Sequence, residues 1–289
     1  MMPAMATESQ PSIPARVRRV VAILLVAGAV AWFLHGRADA WFFWPDAEDH
    51  LRGQRDALGV ELEALPLTTP DGLALDAWLL HGRGEHLGTV VFCHGNAANI
   101  SLHAPSIVWL CARGYDVLAF DYRGYGRSQG TPSREGLVVD ALCAIDTAVQ
   151  RDPQRTFVFG HSLGGAIATL AIARRPAVRA LVVESSFPTW RAAGAAQAPW
   201  LSFLVPLLVS AGDEPIDAVS RIAPRPILVI HGEDDRIVPL ALGRELFAAA
   251  REPKTLHVAQ GSGHATPWKV EGTRFEDLVC RFLHDAHPR

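Results

Sequence analysis

The feature that most constrains this 289-residue chain is a tight turn set between two different patterns. Residues Thr156–Phe159 read TFVF, Gly160-His161-Ser162-Leu163-Gly164 follows with a further Gly165, and AIATLAIA comes next. The apolar run bounded by glycine reads as a buried strand, and the small-residue run reads as a helix. Strand, turn and helix are the context in which G-x-S-x-G makes a strained elbow and exposes the serine oxygen. Glycines on either side let the backbone turn sharply without a Cβ clash. The start of the following helix offers unpaired N–H groups and a positive dipole end to a developing oxyanion. Ser162 is therefore the candidate nucleophile.

The pattern around the elbow fixes the fold class. Alternating runs at Val60–Thr68 and Leu73–Leu80, joined by Pro70-Asp71-Gly72, predict a β-hairpin. Apolar strands are expected at Thr89–Cys93, Asp116–Phe120, Thr156–Phe159, Ala180–Val183, Pro226–Ile230 and Lys254–Val258. Helical segments alternate with them near 102–113, 134–150, 163–174, 239–251 and 267–284. Such alternation predicts an α/β fold, a mostly parallel sheet with helices on both faces. No repeat of 20–50 residues and no low-complexity tract interrupts it.

A serine hydroxyl needs a base at neutral pH. Of the 12 histidines, His264 in Gly261-Ser262-Gly263-His264 lies in a polar loop between the last strand and the last helix. Such a loop brings an imidazole to the strand ends where Ser162 sits. His257 lies inside that strand, and His284 and His287 are near the terminus. The histidine in turn needs an acid to fix its tautomer. The segment HGEDDRIVP (231–239) offers Asp235 and Asp234, and Glu184 ends an earlier strand. The order Ser…Asp…His suits a nucleophile elbow. The second half of an oxyanion hole is expected in the loop His94-Gly95-Asn96-Ala97, with the backbone N–H groups of Asn96 and Leu163 aimed at one oxygen. Cys93 and His94 are adjacent in a strand and face opposite ways, which argues against a Cys–His dyad.

Composition excludes several other classes. A net charge of −3 leaves no electrostatic footprint for nucleic acid. Cysteines 93, 111, 143 and 280 form no C-x-x-C pair, there is no HExxH, and Gly124-Tyr125-Gly126 lacks the third glycine of a dinucleotide loop, so neither a metal site nor a dinucleotide site is expected. The chain divides at residue 45. Val20–Leu34 is 15 residues without a charge, follows Arg16, Arg18 and Arg19, and precedes the aromatic run WFFWP. It is expected to be a membrane anchor, with Trp32, Trp41 and Trp44 at the bilayer interface and outside the catalytic core, and with the catalytic domain outside the cytoplasm. The alternatives are a signal peptide cleaved near Ala40 and a buried core helix. Residues 1–45 hold four arginines and two acids, so 46–289 carries 23 basic and 28 acidic residues, a net −5.

The motifs HGNAANIS (94–101), DYRGYGRSQG (121–130), GHSLGG (160–165), HGEDDRIVP (231–239) and GSGH (261–264) together resemble the α/β-hydrolase superfamily. With the N-terminal segment, the chain is similar to membrane-anchored serine hydrolases near acyl-protein thioesterases and monoacylglycerol lipases. The resemblance implies an eight-stranded sheet whose second strand is antiparallel, and no cofactor. It selects Asp235, the fifth residue of HGxxD, as the triad acid. No large cap is visible. A small insertion between Ser186 and Ile227 has an apolar centre at 198–211, where Leu201, Leu204 and Leu207 are candidate substrate contacts. Apolar insertion and anchor both suit acyl chains, so a small-molecule acyl ester or thioester is the expected substrate. Amide cleavage of the aminopeptidase type and a non-catalytic binding module are the alternatives.

Overall fold

Every strand expected from the apolar runs is present in the computed structural model, which describes residues 42–210 and 212–287 together with 14, 16, 17, 19, 21, 25, 26 and 28. The central sheet has eight strands: β1 Leu62–Ala64, β2 Ala77–Leu80, β3 Gly88–Cys93, β4 Tyr115–Phe120, β5 Thr156–His161, β6 Leu181–Glu184, β7 Ile227–Gly232 and β8 Lys254–Ala259. Their spatial order is β1-β2-β4-β3-β5-β6-β7-β8. Strand β2 runs antiparallel to both neighbours and all other pairs are parallel. This is an α/β-hydrolase fold.

Strand periodicity divides the core into two faces. Val91, Cys93, Leu118, Phe120, Val158 and Val183 point to one side. Val90, Phe92, Val117, Ala119, Phe157 and Val182 point to the other. The first face is covered by α1 (Arg134–Arg151), α2 (Leu163–Ile172) and α4 (Leu240–Ala249), through residues such as Leu137, Ala141, Ile167, Leu170 and Leu246. The opposite face is covered in part by α5 (Thr273–Asp285), which buries Phe275, Val279 and Leu283. Burial on both sides explains why these strands read as continuous apolar runs.

Three local expectations change, and the insertion takes a defined form. The hairpin pairs Leu62 with Leu80 and Leu67 with Leu75, but it breaks near Leu65-Pro66 and Asp76 into short pieces. The helix expected at 102–113 is split into Ile100–His103, a 3₁₀ turn at Ala104–Ser106 containing Pro105, and Trp109–Ala112. The final helix is divided at Gly272, whose φ of +54° ends one helix and starts α5. Between β6 and β7 the insertion forms α3 (Trp190–Gln197), a 3₁₀ helix at Pro199–Leu204 and a short helix at Val205–Leu208.

The N-terminal reading is also corrected. Among the described residues no helix is long and apolar enough to cross a membrane. That finding overturns the transmembrane anchor, the membrane as a partner and the placement of the domain outside the cytoplasm. Most of the stretch 20–34, Trp32, Trp41 and the cleavage site near Ala40 lie outside the described residues. Phe43, in contrast, is 6% exposed inside the first core face, and Phe42 meets Trp190 edge-on at 5.9 Å. Phe42 and Phe43 of the aromatic run therefore pack against the domain.

Candidate active site

The elbow sits at the C-terminal end of β5, near the middle of the sheet. Ser162 has φ +54° and ψ −117°, a conformation a non-glycine residue adopts only when its surroundings enforce it. Its amide donates to the Glu184 carbonyl at 2.8 Å, and Gly165 N–H donates to the Ser162 carbonyl at 3.0 Å. A methyl at Gly164 would overlap the Cys93 carbonyl oxygen, so the start of α2 rests against the end of β3. That close approach brings the loop after β3 beside Ser162.

The candidate base and acid arrive from the ends of β8 and β7. His264 leaves β8 on a loop tied by Gly263 N–H donating to Thr266 Oγ1 at 2.9 Å. Its Nε2 lies 3.0 Å from Ser162 Oγ and its Nδ1 2.8 Å from Asp235 Oδ2. With a carboxylate facing Nδ1, the proton sits there, and Nε2 is free to accept from the serine hydroxyl. Asp235, in the turn after β7, is buried and accepts N–H bonds from Ile237 at 3.0 Å and Val238 at 2.9 Å on Oδ1. Burial pushes its carboxyl up, but the His264 hydrogen bond and charge with the Val238 amide outweigh it and hold the group below its ordinary value.

Ser162, Asp235 and His264 are thus brought together as one hydrogen-bonded chain. Asp234 is not part of it; its amide donates to the Ser262 carbonyl at 2.9 Å. Glu184 serves a different histidine, with Oε2 3.0 Å from His161 Nδ1, and both residues are buried. Leu163 is the first residue of α2, where helix N–H groups lack intrahelical partners. Asn96 lies in the loop after β3, and its Oδ1 accepts from Tyr125 Oη at 2.9 Å. Leu201 and Leu204 lie on the 3₁₀ helix and Leu207 on the helix after it. Leu204 is half-buried and Leu207 exposed, beside Trp200 and Phe203 at 76% and 72% exposure. Cys93 is buried, and that burial pushes its thiol up to about 12, so it supplies no thiolate at neutral pH. Among the described residues no group of three or more His, Cys, Asp or Glu could hold a metal ion.

Sequence reasoning missed the His161–Glu184 pair. The signal was present in the sheet register, which places His161 and Glu184 opposite each other on adjacent parallel strands. It also missed His231, whose Nε2–H donates to the Val238 carbonyl at 2.8 Å and braces the turn that carries Asp235.

Comparisons with known proteins agree with this fold. The sequence profile described as "Serine aminopeptidase, S33" matches residues 84–221. The uncharacterized protein YfhR of Escherichia coli K12 is 33% identical, with 94% of this chain and 96% of that one aligned. The α/β hydrolase domain-containing protein WAV2 of Arabidopsis thaliana is 31% identical over 80% of this chain and 81% of its own. The lysophosphatidylserine lipase ABHD12 of Danio rerio is 29% identical over 69% of this chain and 59% of its own. Among solved structures, the Pyrococcus furiosus esterase Pf2001 superposes with a TM-score of 0.72 at 20% identity, covering 84% of this chain and 98% of the esterase.

Proposed function

Because this chain belongs to the α/β-hydrolase superfamily, we propose that it is a serine hydrolase that cleaves carboxylic esters or thioesters with acyl-chain substrates. The observation that carries this reading is the chain from Ser162 Oγ through His264 to Asp235, with distances of 3.0 and 2.8 Å. Ser162 Oγ attacks the acyl carbon as its proton passes to His264 Nε2. The carbonyl electrons move to oxygen, which the backbone N–H groups of Asn96 and Leu163 hold. Collapse of the tetrahedral intermediate expels the alcohol or thiol, which takes the proton from His264. Water, activated by the same imidazole, then releases the acid from acyl-Ser162. No cofactor enters these steps.

The apolar segment 199–208, carrying Leu201, Leu204 and Leu207, is the proposed rest for the acyl chain, and the name of the lysophosphatidylserine lipase relative fits an acyl ester. The hydrolase domain is proposed to span 46–289, with Phe42 and Phe43 packed against it. Amide cleavage of the aminopeptidase type would use the same acyl-enzyme, and the S33 profile makes it the second reading.

A fluorophosphonate probe is expected to label wild type and to leave Ser162→Ala unlabelled. Labelling that survives the substitution would reject Ser162 as the nucleophile. A panel of esters, thioesters and aminoacyl amides of increasing chain length, run beside that variant, separates the two readings.

A further inference from the structure

Asn96 stands at the proposed oxyanion half-site, and its side chain has a second partner besides Tyr125: the Trp44 N–H donates to Asn96 Oδ1 at 3.2 Å. Trp44–Pro45 pairs in parallel with Ala97–Ala98. The grip continues along the segment. Asn99 Nδ2 donates to the Asp46 Oδ1 at 3.0 Å and the Glu48 carbonyl at 2.8 Å, and His50 N–H donates to Ser101 Oγ at 2.9 Å. Gly126 N–H donates to the Asp46 carbonyl at 2.9 Å, which joins the same segment to the turn that carries Tyr125. The other end is fixed by the buried Phe43 and by Phe42 against Trp190 of α3.

The loop needs such support. Ala98 has φ +61°, in the left-handed region that a residue with a Cβ adopts at a cost unless neighbours hold it. An oxyanion donor displaced by a fraction of an ångström loses much of its value in the transition state.

We infer that residues 42–50 are a positioning strap for the oxyanion loop, in which the Trp44 backbone amide and the Tyr125 hydroxyl together set the orientation of Asn96. This inference rests on the serine-hydrolase reading. The strap touches no substrate; it acts through Asn96. Its key group is a main-chain N–H, so the chemistry of the Trp44 indole, which is largely exposed, is not what the loop requires.

The test uses the full chain with p-nitrophenyl butyrate and compares Trp44→Pro, Trp44→Phe and Tyr125→Phe. Trp44→Pro deletes the amide donor and Trp44→Phe restores it. Expected for Trp44→Pro is a fall in kcat of about 10–100-fold with KM within about twofold. Trp44→Phe is expected within about twofold of wild type. Tyr125→Phe, which removes the other donor to the same oxygen, is expected to lower kcat in the same sense, and it keeps the question answerable should Trp44→Pro fold poorly. Hydrogen exchange of amides 95–101 provides a readout independent of turnover, and faster exchange there is expected in Trp44→Pro. An unchanged kcat in both Trp44→Pro and Tyr125→Phe, a change confined to KM, or an equal loss in Trp44→Phe would overturn the strap. Wild type without Ser162-dependent turnover would instead defeat the hydrolase reading, and unchanged exchange at 95–101 would then still overturn the strap.

Discussion

Asp235 divides its two oxygens between separate tasks. Oδ1 is held by two main-chain amides, and Oδ2 faces His264. Asparagine would keep the shape but lose the charge that orders the imidazole. Asp235→Asn is therefore expected to lower kcat for an acetate ester by about 10³–10⁴-fold. A loss under tenfold would move the acid role elsewhere. His231 beside it is a buried neutral imidazole, with Nδ1 lacking a hydrogen-bond partner among the described residues. Burial, the larger effect, holds it below its ordinary 6.5, against the Val238 carbonyl and Asp235, which favour the proton, and with His264 opposing it. The unfolded chain thus binds this proton first as pH falls. This group has no effect on stability above about 6.5 and lowers it below that, by up to about 1.4 kcal/mol per pH unit. Chemical denaturation between pH 7.5 and 5 should show a shallower decline for His231→Gln. Parallel lines for variant and wild type would assign the acid sensitivity to another group.

Strands and helices differ in how openly the sequence displays them. The strands from Gly88 to Gly232 were legible because both faces are buried, which leaves runs rich in Val, Ile, Leu and Phe. Helix breaks were less so: Pro105 and Gly272 carried the signal, but apolar periodicity continues across both. The three candidate residues stood out because each follows a strand, Ser162 at the glycine-flanked turn into α2 and Asp235 and His264 in the loops after β7 and β8. The His161–Glu184 contact was not, since it depends on the register of two strands 23 residues apart in sequence. The segment after α3 belongs to the same scale. If 199–208 supports an acyl chain, Leu204→Asp should depress turnover of long-chain esters at least tenfold more than that of acetate esters, because one charge at an apolar contact costs more than about 1.4 kcal/mol. Equal losses across a chain-length series would return this segment to scaffold.

At the scale of the molecule, the N-terminal aromatics were the largest misreading. A run of Trp and Phe after an apolar stretch resembles an interfacial belt, whereas Phe42 finds its partner, Trp190, 148 positions later, beyond the reach of local periodicity. Burial of one phenylalanine is worth about 1.5–3 kcal/mol. A chain starting at residue 51 is therefore expected to melt roughly 3–12 °C below one starting at 42. Equal midpoints by differential scanning calorimetry would place the start of the folded unit after His50.

The strand order also governs when chemistry can begin. Ser162 and His264 are separated by 102 positions, and the three strands β6, β7 and β8 must add to the sheet in turn before the imidazole reaches the hydroxyl. A chain emerging from the ribosome therefore carries its serine for a long interval with no base beside it. On the serine-hydrolase reading, a chain that ends before His264 lacks its base and turns over no acyl compound. On that reading turnover requires the far edge of the sheet to be in place, so activity would report completed folding.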